Sequence, residues 1–391
     1  MKSRLPFLLS LALPLFAASG AELAPHVSAM EEGARWLLTQ QQPDGSFASS
    51  PKGAGDVGIT ALAVTALAKT GQAKAPQVLK AVDFLLKNTH PDGSIWNDDG
   101  MGLYNYRTSV SLMALHAVDP EKHKDAIKKA QDYLLGIQRS EQTGVKQDDP
   151  NYGGIGYGSD PKVNDMSNLQ IALQALKESG HTDSEVFRRA AEFAGKCQNL
   201  AGSNPLAKNP DAKVAVGTDG SFTYAPITGA DSSKAGVESS DKPDGKPVPK
   251  GYGSMTYAGL LTMVYAHLSK EDPRVSAAMG WIKKHYSLKD NPGLASEQKP
   301  LAGKQGLYYY YLTFAKALAA YGEDEIKSED GVTHRWAREL MDILVKEQKR
   351  EGGQAFWSNK DSERWMEGNP VLATSFALLA LQICVEHGGD R

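Results

Sequence analysis

Cysteine is nearly absent: Cys197 and Cys384 are the only two in 391 residues. That excludes a fold stapled by several disulfides. Both fall within apolar helical patterns, which favours two buried thiols over a bridge. An excess of one charge sign is missing too. The 43 basic and 46 acidic residues leave a net charge of −3, so no basic face is available for nucleic acid. The nine histidines form no H-x-x-x-H or H-x-x-H pair, and neither cysteine has a metal-spaced partner, so no metal and no cofactor is expected. No G-x-S-x-G elbow, phosphate loop or dinucleotide fingerprint occurs. The apolar run Leu5–Phe16 is shorter than the roughly 20 residues that span a bilayer, and no other segment reads as a transmembrane anchor.

What that run does fit is an export signal. Lys2 and Arg4 give it a basic start, and Ala17-Ala18-Ser19-Gly20-Ala21 follows as a small-residue cleavage region. The expectation is cleavage after Ala21, no lipid anchor, and a mature protein of residues 22–391 in the periplasm or outside the cell.

The dominant pattern in the rest is an internal repeat. An amphipathic helix is followed by a Gly-rich turn, often with an aromatic, and then by a more apolar helix. The six copies begin at Ala34–Phe47 with Ile59–Gly71, then Ala81–Trp96 with Thr108–Val118, then Ala130–Gln138 with Ser167–Gly180. They continue with Arg188–Gln198 and Ser254–Leu268, Ala277–Tyr286 and Gly306–Gly322, and Arg338–Trp357 and Val371–Ile383. The first helix of each copy carries charge on one face, such as Lys80, Asp83 and Lys87, and so keeps one side in water. The second is apolar nearly all round and rich in Ala, Ser and Thr, and so must be covered on all sides. An inner ring of second helices inside an outer ring of first helices meets both demands. The predicted fold is an all-α (α/α)6 toroid, whose closure removes the exposed end repeats of an open solenoid.

Pro43-Asp44-Gly45 and Pro91-Asp92-Gly93 mark turns. Asp56, Ser167 and Thr256 stand near inner-helix starts, where their oxygens can accept from free amides. Residues from about 201 to 250 break the pattern, being rich in Pro, Gly, Ser, Lys and Asp. They predict a surface excursion, able to act as a lid, with the Asp219–Tyr224 string tucked against the fourth repeat.

Trp36–Phe47 (WLLTQQQPDGSF) and Asp83–Trp96 (DFLLKNTHPDGSIW) resemble the prenyltransferase and squalene-oxidase repeat and the Gln-Trp motifs of squalene and oxidosqualene cyclases. The likeness spans most of the mature chain in six degenerate copies. The later half resembles secreted bacterial proteins that carry these repeats. The resemblance implies a terpenoid cyclase-like toroid with a central cavity, related in pattern to protein prenyltransferases. It carries over no assigned active site.

The catalytic signatures of those enzymes are missing. Class II terpene cyclases protonate an alkene with a D-x-D-D acid. Here the nearest strings are Asp165-Met166-Ser167-Asn168 and Asp56-Val57-Gly58-Ile59, in which Ser, Asn, Gly and Ile replace the later acids. The class I D-D-x-x-D motif is not completed by Asp98-Asp99 or Asp148-Asp149, which read as solvated turn acids. The Cys-Gly-Glu-Gln of complement-like thioester toroids is absent. The candidates that remain are Asp165, Asn168 and Arg107 as catalytic groups. Tyr106, Tyr152, Tyr252, Tyr310 and Trp365 are candidates to line a cavity at the inner-helix starts. The leading expectation is a cavity that binds or transforms an isoprenoid-type apolar ligand. Two alternatives stay open: a glycan-active hydrolase or lyase, which needs two carboxylates across a cleft, and a non-enzymatic toroid that binds another protein.

Overall fold

The computed structural model describes residues 24–48, 53–158, 163–239 and 245–388, so the predicted export signal at residues 1–21 lies outside the described residues. Twelve α-helices among them alternate in character as the sequence alternates. Six are outer: α1 (Pro25–Thr39), α3 (Pro76–Lys87), α5 (Lys124–Ile137), α7 (Ser184–Lys196), α9 (Pro273–Lys284) and α11 (Trp336–Glu347). Each buries one stripe, as α3 does with Val78, Ala81, Val82 and Leu85. Six are inner: α2 (Val57–Leu67), α4 (Tyr104–Val118), α6 (Met166–Glu178), α8 (Gly253–Tyr265), α10 (Leu307–Tyr321) and α12 (Pro370–Gly388). Every residue of α2 is buried. The inner helices pack in order from α2 to α12, and α12 packs back onto α2, closing the ring. The (α/α)6 toroid expected from the repeat is therefore the fold. By length and composition α12 is apolar enough to cross a membrane, yet it is mostly buried, packed among α2, α10 and α11.

A fastening device explains the repeated motif. A glutamine after an outer helix reaches the first turn of the next outer helix. Gln41 Nε2 donates to the Gln77 carbonyl (2.7 Å), Gln138 to Val186 (2.9 Å) and Gln198 to Arg274 (2.8 Å). Gln348 donates to the Ala29 carbonyl (2.8 Å), which ties the last repeat to the first. The apolar residue of the motif then docks on its own inner helix. The amides of Phe47, Ile95, Phe222 and Trp357 donate to the hydroxyls of Thr60, Thr108, Thr256 and Thr374 at 2.9, 2.9, 3.2 and 3.0 Å. Each bond satisfies a buried backbone donor that would otherwise be costly.

The turn glycine has a steric reason. Gly45 and Gly93 lie at φ +95° and +89°, where side chains are strained. A Cβ there would also meet the carbonyl oxygens of Lys80 and Lys129 at 2.6 and 2.3 Å. In both turns the Asp before the Gly accepts from the Ser after it, at 3.0 Å from the amide.

The insertion adds a minor apolar cluster of Val214, Val216 and Ile227. Two antiparallel residue pairs, Val237 with Pro249 and Glu238 with Val248, join two stretches of its later part. Phe222 is fully buried against Gly259 of α8. Cys197 and Cys384 are both buried free thiols.

Candidate functional site: the central channel and its two ends

The ring encloses a channel whose ends differ in chemistry. At the amino-terminal end of the inner helices, charged groups are committed to holding the structure. Asp56 caps α2, accepting from the Ile59 amide (2.8 Å). Arg107, 1% exposed, reaches from the first turn of α4 to Asp56 (2.6 Å), to the Asn97 carbonyl (2.8 Å) and to both oxygens of Asp99. The Arg107 hydrogen bond holds the Asp99 carboxyl below its usual range. Asp99 is thus an ion-pair partner and not the solvated turn acid its neighbours suggested. The sequence shows its Gly neighbours but not an arginine eight residues on that folds back over it.

Asp165 caps α6. It is wholly buried and accepts from the Asn168 amide (2.9 Å), the Asn168 side chain (2.9 Å) and the Ser167 hydroxyl (2.7 Å). Ser167 is therefore a donor to the cap and not the cap itself. Thr256 likewise donates, to the Tyr252 carbonyl (3.0 Å), instead of capping α8. Burial raises the Asp165 pKa, and the hydrogen bonds from Asn168 and Ser167 oppose it. Glu367, 1% exposed, accepts from the Tyr309 amide at the start of α10 (2.8 Å) and from Asn359 (2.9 Å). Burial pushes its pKa up to about 7 against those donors.

Tyrosines surround these acids. Tyr157 and Tyr224 share a hydroxyl–hydroxyl bond (2.8 Å) beside Asp165. Tyr224 comes from the insertion, whose backbone joins α6 through the Met166 amide and the Tyr224 carbonyl (2.8 Å). The excursion therefore packs against the start of α6.

The channel proper runs onward from Tyr106 and Tyr309. One wall is apolar: Leu62 of α2, Met113 of α4, and Phe376, Leu379 and Ile383 of α12. The opposite wall carries polar groups of α6 and α10: Gln170, Gln174, Glu178, Thr313 and Lys316. The cavity itself is narrow, with about 80 Å³ open to the centres of water-sized spheres, inside an open-mouthed envelope of about 760 Å³ that includes solvent. On α6, Gln170 donates to Gln174 (3.1 Å), which donates to Glu178 (2.6 Å), forming an i,i+4 ladder along the channel. The hydroxyl of Tyr309 is buried and has no hydrogen-bond partner among the described residues.

At the carboxyl-terminal end Lys69, Glu178 and Glu386 form an exposed rim, with Gln382 beside them. Lys316 sits deeper, half-buried. Loss of water around it lowers its pKa to about 8, with Glu178 opposing and Lys69 reinforcing that fall. Burial also lowers the pKa of His116 on α4, which feels the same Glu178 and Lys69.

Among the sequence candidates, Tyr106 lines the channel, whereas Asp165, Asn168 and Tyr252 are buried at the starts of α6 and α8 and do not line it. Arg107 lies in the wall as an ion-pair clamp. Tyr152 lies away from the channel, bonded to Glu141 (3.1 Å). Tyr310 is fully buried, donates to the Ser287 carbonyl (2.7 Å) and packs edge-on against Tyr257 and Phe314. Trp365 is 43% exposed, stacks beneath Arg364 and covers Gly306 at the amino-terminal face. Lys69, Gln170, Gln174, Glu178, Lys316 and Tyr224 were not anticipated. A signal existed for two sets of them: Lys316 is the one charge in the fifteen residues of α10, and the Gln170, Gln174 and Glu178 spacing falls on one face of an inner helix.

A family model of the squalene-hopene cyclase C-terminal domain matches residues 52–206. The fold is squalene cyclase-like. The apo type II terpene cyclase MstE from Scytonema is 14% identical, with 92% of this chain and 97% of that one covered at a TM-score of 0.50. An inactive variant of an α-1,6-mannanase of Salegentibacter sp., in complex with α-1,6-mannotriose, is 8% identical, with coverage of 91% and 99% at 0.53. An α-amylase from Clostridium perfringens is 12% identical, with coverage of 91% and 97% at 0.52. No curated protein matches the chain by sequence.

Proposed function

We propose that this squalene cyclase-like toroid holds an isoprenoid-type apolar molecule in its central channel, as an exported protein. One observation carries the reading: much of the channel lining is aliphatic and aromatic, with Leu62, Tyr106, Met113, Phe376, Leu379 and Ile383 on α2, α4 and α12. Such a wall offers binding energy of about 25 cal/mol for each Å² of apolar ligand surface removed from water. The cyclase-type family match over residues 52–206 supports the same ligand class. Protonation of an alkene by Asp165 is disfavoured, because three hydrogen bonds already hold that carboxyl as a helix cap. The glycan alternative draws on the likeness of fold to the two glycan-named structures. Against it, Asp165 and Glu367, the buried carboxyls at the amino-terminal end, are both engaged in caps.

Extraction and mass spectrometry of small molecules from the natively purified protein test the reading. A stoichiometric isoprenoid that is lost in Leu379→Trp, which fills the channel, is the expected result. A wild-type protein that is empty, or that carries sugar, would sink it.

A further inference from the structure

The channel's polar end is asymmetric in a way that an all-hydrocarbon ligand does not explain. An apolar ligand needs neither the Gln170–Gln174–Glu178 ladder nor a lysine set inside the mouth. Lys316 lines the channel seven residues after Tyr309 on the same helix, about 10 Å along its axis. It has no hydrogen bond or ion pair among the described residues. Glu178 on the rim favours its charge only from a distance, so a cation beside Leu312, Phe376 and Ile383 remains costly, and an anion brought by a ligand would relieve that cost.

The surrounding charges narrow the kind of anion. Lys69 follows α2 and adds positive charge. His116 faces the same groups from α4, and Tyr265 of α8 lies near Glu178. Glu178 of α6 and Glu386 of α12 stand on the rim and repel negative charge. The carboxyl ends of the inner helices also present free carbonyls, the negative pole of the helix dipole. A multiply charged diphosphate is poorly matched to one half-buried ammonium inside that ring. A singly charged carboxylate matches it.

We propose that the channel is built for an isoprenoid-type acid, its carboxylate on Lys316 and its tail running along the aliphatic wall toward Tyr106 and Tyr309. This rests on the channel-binding reading and adds the headgroup to it. The position of Lys316 has a measurable consequence. Near pH 8 the free protein holds this lysine only partly protonated, so binding a carboxylate draws a proton from solution. Affinity for the acid falls as pH rises through about 8 and beyond, because the charged form becomes scarce.

The test is calorimetric titration of the full mature protein with farnesoic acid, farnesol and farnesyl diphosphate, in buffers of different ionisation enthalpy. The acid is expected to bind at least tenfold tighter than the alcohol at pH 7, and tighter than the diphosphate, with proton uptake near pH 8 to 9. Lys316→Gln should cost the acid about tenfold, abolish proton uptake and leave farnesol unchanged. Lys316→Arg should keep acid binding without the pH dependence. Equal binding of acid and alcohol, preference for the diphosphate, or an unchanged acid affinity in Lys316→Gln would overturn the headgroup while leaving the channel reading standing. No binding of any of the three, with the fold intact by circular dichroism, would overturn both.

Discussion

The two ends of one channel carry similar residue types and use them differently. At the amino-terminal end Asp56, Asp165 and Glu367 each accept a backbone amide at the start of an inner helix, and Arg107 pairs with two acids. Their positions follow from the free donors that every helix start leaves. At the carboxyl-terminal end Glu178 sits in the last turn of α6, where the helix dipole disfavours it, and Lys316 has no ion-pair partner among the described residues. Charges that the fold requires and charges that it merely tolerates are thereby separated in space. The tolerated ones are the better functional candidates.

Substitutions at the two ends should therefore differ in stability. The largest loss is expected for Arg107→Ala, which leaves Asp56 and Asp99 unpaired. Breaking a buried pair by removing one partner costs about 3–5 kcal/mol, and chemical denaturation would show it. A loss below about 1 kcal/mol would break the distinction, since Arg107 would then be as dispensable as a rim charge.

Glu367 gives the next effect, a dependence on pH. Its native pKa of about 7 lies above the 4.5 of an ordinary glutamate. Between those values the native state keeps the proton that the unfolded chain releases, so stability falls as pH rises through that window and levels off above about 7. The contribution is on the order of 3 kcal/mol, from 1.36 kcal/mol for each pKa unit. Glu367→Gln should remove this slope from a series of melts between pH 4 and 8. An unchanged slope would assign the effect elsewhere.

The smallest effect is expected at the carboxyl-terminal end. Lys316→Gln and Glu178→Gln should each change stability by no more than about 1 kcal/mol, with Lys316→Gln neutral or slightly stabilising because a desolvated cation is removed. A loss of several kcal/mol in either would make this end as structural as the opposite one.

The fold was legible because a toroid must alternate half-wet and fully buried helices, and the six copies print that alternation. The Gln41, Gly45, Phe47 and Thr60 positions recur because each makes one bond or one close approach to a neighbouring helix. The site was less legible. Tyr106 and Asp165 could be placed near the channel from their position at inner-helix starts. Tyr310 could not be told from Tyr309, because neighbours on a helix differ by about 100° in direction. One fills a gap between helices and the other faces the channel. Tyr224 was hidden in an irregular insertion, whose path no periodicity reveals.

The sequence by itself determined the repeat, the helix hairpins, the closed ring and the absence of the known cyclase acid motif. These are local or periodic properties, set by which face of each helix must leave water. The tertiary structure alone decided that Lys69, Glu178 and Lys316 share one mouth, that Asp99 folds back onto Arg107, and that Tyr224 meets Tyr157 beside Asp165. The first and last of those contacts join residues from separate repeats, which closure of the ring brings together, and the second folds one repeat's turn back over the start of its own inner helix.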